Sequence, residues 1–235
     1  MDGRVQSAKE PIRLFKSDFL EFFSHVSPVA VLVLWVPVAG FFLVQSVIHT
    51  SENRFPYAIV LGLLAGWFVW TFTEYVMHRF VFHYHPKTEK FKKAFFMIHG
   101  VHHAQPLCKT RLVMPPVMSI PLAVLFYVLF YVLVVQLIGR PAWFDAVFAG
   151  FIIGYIIYDM MHYTLHHSRS KNGYVAMCRY QHMQHHGNCP NMRFGVSSPV
   201  WDYVFRTMPE QKKSGRSPAE PMVSNDPSGV DSNES

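Results

Sequence analysis

Residues 160–186 read MMHYTLHHSRSKNGYVAMCRYQHMQHH, in which an apolar stretch leads into two groups of closely spaced histidines. These histidines are three or four residues apart within each group or directly adjacent: His162, His166, His182, His185 and His186. Residues at positions i, i+3 and i+4 of a helix lie on one face. The stretch therefore predicts helices that present several imidazoles together.

A second group of histidines lies upstream of this stretch. Its members are His78, His83, His99, His102 and His103. The last three repeat the i, i+3, i+4 spacing. The five-residue separation of His78 and His83 corresponds to about 140° around an α-helix. We therefore expect the helix to end or bend between these two residues.

Ten imidazoles are too many for one metal ion and fit two ions with about five each, which leaves positions for water, oxygen or substrate. Imidazole binds zinc, iron, copper and nickel, so the ligand type leaves the metal open. Without a metal, each buried ring would need its own polar partner. The four remaining histidines are interpreted as ordinary polar residues: His25, His49, His85 and His167. The three cysteines lack a Cys-x-x-Cys spacing and indicate neither a disulfide framework nor a thiolate zinc site.

The composition indicates a membrane protein, because only 15% of the 235 residues are charged and 51% are hydrophobic. Four apolar stretches are each long enough to cross roughly 30 Å of hydrocarbon. The predicted spans are Pro28–Ile48, Tyr57–Met77, Pro116–Ile138 and Ala142–Tyr163. No small-residue cleavage site follows the first, so it is interpreted as a retained span. Four such stretches make helices buried in a large soluble core a poor alternative.

The positive charges predict the orientation. Of the 21 lysines and arginines, 19 lie before the first span, between the second and third, or after the fourth. The positive-inside rule makes that side cytoplasmic, and all ten grouped histidines fall on it. We expect a cytosolic segment over residues 1–27 with a short amphipathic helix at Leu14–Phe23, a membrane domain over 28–208 and a disordered tail over 209–235.

Two acidic residues share helical faces with the histidines. Asp159 precedes His162 by three residues, and Glu74 precedes His78 by four. A carboxylate there can accept the free ring N–H of a metal ligand, although an interfacial or N–H-capping role is the alternative. Tyr158, Tyr163 and Trp201 are interpreted as packing aromatics, and no separate catalytic side chain is assigned.

The order of the histidine motifs resembles the fatty acid hydroxylase superfamily, and within it the fatty acid 2-hydroxylases that act on sphingolipid acyl chains. The resemblance covers roughly residues 14–208 and extends beyond histidine. It rests on HRFVFH (78–83), HGVHH (99–103), RLVMPP (111–116), GYIIYDMMH (154–162) and WDYVF (201–205).

This resemblance implies an all-α integral membrane protein with four transmembrane helices under a cytosolic helical cap. It implies a dimetal centre bound by the ten histidines and O2-dependent hydroxylation at C2 of a fatty acyl chain, carried by a free acid, a thioester or a ceramide. Family structures contain zinc, whereas iron is expected for the oxidative chemistry.

The sequence lacks the amino-terminal cytochrome b5 domain of fungal and animal members, because it has no His-Pro-Gly-Gly haem motif. We therefore expect a separate electron donor, such as cytochrome b5 with its reductase. The basic face, in a chain of pI about 9.2, suits an acidic donor or anionic lipid headgroups equally well. No feature indicates nucleic acid. The compartment would be the endoplasmic reticulum in a eukaryote and the inner membrane in a bacterium.

Two other function classes remain open from the residues alone. Desaturation or hydroxylation of an acyl chain or sterol uses similar histidine motifs. A zinc-dependent membrane hydrolase or a metal transporter is a weaker alternative, since a transporter should carry ligands at mid-membrane and the span interiors have none.

Overall fold

The computed structural model describes residues 11–53 and 57–209, and the regular secondary structure of these residues is helical throughout. The α-helices are α1 (Asp18–Ser24), α2 (Pro28–Asn53), α3 (Tyr57–Val76), α4 (Glu89–Phe95), α5 (Val101–Ala104), α6 (Pro116–Phe130), α7 (Pro141–His167), α8 (Gly173–His186) and α9 (Val200–Val204). Three π-helical segments continue α3, α4 and α6: Met77–Phe82, Phe96–Gly100 and Tyr131–Leu137.

Four helical stretches are long and apolar enough to cross a membrane, as predicted. They run over Pro28–Thr50, Tyr57–Phe82, Pro116–Leu137 and Pro141–His167. Three of them begin at a proline, which suits the first turn of a helix because its missing N–H has no intrahelical partner there. The all-α fold with four spans is confirmed.

The helix α7 is the centre of the bundle and packs mainly against α3 and α2. Close approach to α3 depends on glycine in both helices. A Cβ atom at Gly66 would lie 2.0 Å from the carbonyl oxygen of Val147, and one at Gly150 would lie 2.2 Å from that of Leu63. In lipid the hydrophobic effect does not drive helices together, so their association depends on close packing. Small residues such as glycine permit this, because they let the two backbones approach each other.

An aromatic layer lies between α3 and α7 below the histidines. The ring of Trp70 packs 5.1 Å from that of Phe151, 5.2 Å from that of Tyr155 and 5.8 Å from that of Tyr158. These side chains are buried. The packing role predicted for Tyr158 agrees with this position, and the layer gives the histidine end of α7 a rigid base.

The cap is built from the segments that follow α3 and α7. The helix α8 begins at an Asn172 cap, whose side-chain oxygen accepts the N–H groups of Tyr174 and Val175 at 3.0 and 3.3 Å. It folds back against α7, while α9 lies against α3 through a 3.0 Å hydrogen bond from Trp201 Nε1 to Thr71 Oγ1.

Two local predictions differ from the structure, and a third agrees with it. The amphipathic helix expected at Leu14–Phe23 is α1, which begins only at Asp18. The helix α2 continues past Ile48, the predicted end of the first span, to Asn53, and residues 54–56 lie outside the described part of the chain. The end or bend expected between His78 and His83 is present, because the π-helix that continues α3 ends at Phe82 and His83 is its C-cap residue. The predicted tail lies outside the described residues except for its first one, Pro209.

Candidate metal centre

The ten predicted histidines lie in two groups of five at the end of the bundle. Cluster 1 consists of His78, His83, His99, His103 and His185. Cluster 2 consists of His102, His162, His166, His182 and His186. In each cluster, one ring nitrogen per residue lies within 4.8 Å of the others, so each cluster could hold one metal ion.

The ring nitrogens converge to distances at which two unprotonated nitrogens repel each other unless a proton or a cation lies between them. In cluster 1 the Nε2 atoms of His83 and His185 are 2.9 Å apart, and those of His99 and His103 are 3.0 Å apart. His78 Nε2 is buried and has no hydrogen-bond partner among the described residues. An orphaned nitrogen beside converging lone pairs fits a metal cation.

Cluster 2 shows the same convergence. The Nε2 atoms of His102 and His162 are 2.9 Å apart. Those of His166 and His182 are also 2.9 Å apart, and His186 Nε2 lies 3.1 Å from His182 Nε2. The donor set is again all imidazole, which suits iron and zinc equally well.

The π-helix after α3 explains how His78 and His83 reach the same cluster. Its backbone bond runs from His83 N–H to the His78 carbonyl at 3.2 Å, the i to i+5 pattern of a π turn. This wider turn places residues five apart on one face, and the two ring centroids are 5.0 Å apart. The spacing that looked poor for an α-helix is therefore the correct one here.

Two backbone carbonyls fix the orientation of cluster 1. His78 Nδ1–H donates to the Phe194 carbonyl at 2.5 Å, and His185 Nδ1–H donates to the Met192 carbonyl at 2.7 Å. A carbonyl can only accept, so the Nδ1 atom carries the proton in each ring. The Nε2 lone pairs are then left for a metal.

The loop that supplies these carbonyls is held by two buried acids. Asp202 accepts the N–H groups of Phe194 and Gly195 at 2.8 and 2.7 Å. Glu74 accepts those of Val196 and Ser197 at 2.7 Å each, and also the Ser197 hydroxyl. Glu74 thus supports His78 through the loop and not by the direct bond that its spacing suggested, since His78 Nδ1 bonds to Phe194.

Asp159 likewise has a different partner from the one its spacing suggested. Its two carboxylate oxygens lie 3.1 and 3.2 Å from the Met114 N–H, in the segment before α6. It therefore anchors that segment to α7 at the level of the histidines. Both acids support the site by fixing backbone, which corresponds to the capping alternative.

Burial keeps the histidines of the cap neutral. It lowers the pKa of His83 to about 3, with a further contribution from nearby His185. The pKa of His103 falls to about 4 for the same two reasons. Burial also lowers that of His185 to about 4, against the opposing effect of its bond to the Met192 carbonyl. Neutral imidazole is the form that binds metal, so the rings need lose no proton near pH 7.

Two cavities connect the histidines with the apolar surface of the cap. A small one of about 40 Å³ touches His99, His102 and His162. A larger one of about 330 Å³, here called the acyl groove, lies between α1, α4 and the start of α6. The two share five lining residues: Ile98, Arg111, Val113, Pro115 and Met118.

Comparison with known proteins agrees with this geometry. The profile of the fatty acid hydroxylase family matches residues 63–207, which include all ten histidines. The chain belongs to the fatty acid hydroxylase family. The resemblance drawn from its histidine motifs is confirmed.

Individual relatives of this fatty acid hydroxylase share its histidine-bearing region. It is 36% identical over 207 residues to a dihydroceramide fatty acyl 2-hydroxylase of Arabidopsis thaliana, covering 88% of this chain and 84% of the relative. It is 34% identical to the fatty acid 2-hydroxylase of Mus musculus, again over 88% of this chain but only 59% of the relative. A solved structure described as full-length scs7p, with only the hydroxylase domain visible, is similar with a TM-score of 0.72 and 35% identity, covering 81% of this chain and 69% of that one.

Sequence reasoning missed the loop that orients cluster 1 in this hydroxylase. Asp202 belongs to the WDYVF motif, which was used only as part of the family resemblance. The Met192 and Phe194 carbonyls could not be predicted, because every residue has a backbone carbonyl whatever its side chain. The one available signal was an acid next to Trp201 in a chain poor in acids. The histidines predicted to be uninvolved do lie outside both clusters, and His25 and His49 pair with Glu21 and Asp145.

Proposed function

We propose that this protein hydroxylates C2 of a fatty acyl chain in sphingolipid or related lipid synthesis, using O2. The observation that carries the proposal is the pair of five-histidine clusters beside a cavity that continues into an apolar groove. The relatives named as 2-hydroxylases supply the position of the reaction. The acyl chain would belong to a free acid, a thioester or a ceramide.

In this proposal the ten histidines are the ligands of two metal ions, with iron expected in the active enzyme and zinc able to occupy the site. When bound, two irons would supply the oxidising power that no side chain has for cleaving a C–H bond. The protein's own residues would hold the metals, place the acyl chain and exclude water. Hydroxylation takes one oxygen atom of O2 into the product and reduces the other to water, which consumes two electrons and two protons.

The two electrons would come from another protein, such as cytochrome b5 with its reductase. The excess of lysine and arginine on the histidine side supports a cytosolic orientation for the site and both termini. The multi-pass protein would lie in the endoplasmic reticulum of a eukaryote or in the inner membrane of a bacterium. The membrane domain is proposed to span residues 28–208, between a segment of 1–27 and a tail of 209–235.

The proposal is tested by expressing the protein in cells that lack 2-hydroxylated lipids. We expect wild type to produce 2-hydroxy acyl chains, and His102→Ala and His185→Ala to produce at least about 100-fold less, because each removes a ligand from a different cluster. His167→Ala is the matched control. It changes a neighbour of His166 that lies outside both clusters and should retain activity.

Product mass separates the alternatives. Hydroxylation adds one oxygen, desaturation removes two hydrogens, and hydrolysis would proceed without O2. Equal amounts of 2-hydroxy product from wild type and the two ligand variants would contradict the proposed function, as would full activity under anaerobic conditions.

A further inference from the structure

The acyl groove alone cannot select one carbon of a chain. Its lining is almost entirely apolar: Leu14, Phe15, Leu20, Phe23, Met97, Val101 and Val117 contribute, together with the five residues shared with the small cavity. Attraction between hydrocarbon surfaces is non-directional, and successive methylene groups are equivalent. A chain held only by this groove would slide, so selection of C2 requires a polar anchor near the histidines.

Arg111 is the charged side chain in the shared lining. Its side chain is 2% exposed, and it lines both the acyl groove and the small cavity that reaches His102 and His162. Its Nε atom is buried and has no hydrogen-bond partner among the described residues. A buried N–H of a guanidinium without an acceptor is costly, which indicates that a ligand supplies one.

The other side of the guanidinium is fixed in place. Nη2 donates to the Ile12 carbonyl at 2.6 Å and to the Glu21 carboxylate at 2.9 Å, and it lies 3.2 Å from His25 Nε2. Burial would raise the pKa of Glu21, but hydrogen bonds from the Phe15 N–H, His25 and the Leu14 N–H, together with the charge of Arg111, lower it to about 2. Glu21 is therefore ionised where it binds Arg111. The guanidinium is fixed through Nη2, while the Nε–H has no acceptor among the described residues.

We propose that Arg111 Nε–H binds the carbonyl or carboxylate oxygen of the acyl group and thereby sets hydroxylation at C2. This inference rests on the proposed function. The carbon bonded to the anchored carbonyl carbon is C2, so fixing the oxygen at Arg111 leaves C2 as the first chain carbon available to the histidine clusters. A hydrogen bond from a charged donor in a buried site is strong enough to define this register.

The first test measures binding without turnover. Full-length, metal-loaded protein in nanodiscs is titrated with N-methylhexadecanamide, hexadecanoate and hexadecane, by displacement of a fluorescent acyl probe. Wild type should bind at least one of the two carbonyl ligands about tenfold or more tightly than hexadecane. The carbonyl ligand that binds more tightly indicates whether Arg111 binds an amide carbonyl oxygen or a carboxylate oxygen.

Two variants address Arg111 itself. Arg111→Gln removes the charge, and Arg111→Lys keeps a positive charge beside Glu21 but removes the Nε–H. Both should lose the tenfold preference. Their hydroxylated products should spread from C2 to C3 and beyond, as determined by position-specific mass spectrometry, while elemental analysis still finds two metals.

Lys109→Gln is the matched control, since it removes a nearby positive charge from an exposed side chain that lines neither cavity. It should retain the carbonyl preference and the C2 product. The inference is overturned if either Arg111 variant, with its metals, keeps both the preference and the C2 product, or if Lys109→Gln loses both to the same extent. Absence of 2-hydroxylated product from wild type would instead overturn the proposed function, because the binding preference does not depend on turnover.

Discussion

His102 and His103 are adjacent in the chain, yet their imidazoles belong to different clusters. Successive residues of a helix point about 100° apart. The short helix α5 lies between the two clusters, so one ring reaches each. The same division occurs at the end of α8, where His185 joins cluster 1 and His186 joins cluster 2. Each His-x-x-His-His motif therefore links the two sites.

This division predicts the metal content of double variants. His102→Ala with His186→Ala removes two ligands from cluster 2 alone and should leave about one metal per chain. His102→Ala with His103→Ala removes one ligand from each cluster and should leave substantially less than one, since each metal loses a fifth of its ligands. Elemental analysis of purified protein measures the difference.

The control for this prediction is His167→Ala, which should retain two metals. Equal metal loss from the adjacent pair and the cluster 2 pair would contradict the assignment of the histidines to two separate clusters.

The sequence predicted the full set of ten histidines but not their division. Spacing of i, i+3 and i+4 defines one broad face of a helix, and it does not tell whether that face meets one site or lies between two. The sequence halves also suggested five ligands from each half. In the structure His102 and His185 are exchanged between the halves, because α5 and α8 face each other across the site.

At the level of helices, hydropathy predicted the four spans well, since length and composition alone satisfy the requirement for crossing a membrane. The π segment at Met77–Phe82 was not predictable in the same way. It brings His78 and His83 into the same cluster, and local propensity contains no information on that tertiary arrangement.

The contact between α3 and α7 makes a prediction about helix packing. Gly150→Ala would place a Cβ atom 2.2 Å from the Leu63 carbonyl oxygen, so the helices must separate. We expect a clear loss of thermal stability in detergent and a loss of metal, because the π-helix that continues α3 carries His78 and α7 carries His162. The free energy of unfolding should fall by about 1–3 kcal/mol, typical of overpacking.

Gly40→Ala in α2 is the matched control, because its Cβ would meet nothing within 4 Å. Thermal unfolding of the two variants side by side measures the effect. Equal stability of Gly150→Ala and wild type would show that the close backbone approach is not required.

At the level of the whole molecule, the two clusters connect segments that are far apart in the chain. Cluster 1 joins the π-helix after α3, the π-helix after α4, α5 and α8, and cluster 2 joins α5, α7 and α8. The described segment before the first span is attached to the same end, since Ile12 and Glu21 bond to Arg111. The cap is thus held mainly by the histidine clusters and buried polar bonds, whereas the spans are held by apolar packing.

This difference predicts the effect of removing the metals. A ligand that binds only the folded state stabilises it in proportion to the logarithm of its concentration over its dissociation constant. Chelation should therefore lower the unfolding temperature and increase amide hydrogen exchange in α8 and in the loop around Phe194. Exchange in the spanning parts of α3 and α7 should change little, because Trp70 and Phe151 remain packed there.

Adding metal back should restore the original values, and the His102→Ala, His103→Ala variant should not respond to the chelator. An unchanged unfolding temperature, in wild-type protein shown by elemental analysis to have lost both metals, would mean that the converging imidazoles hold the cap together without them.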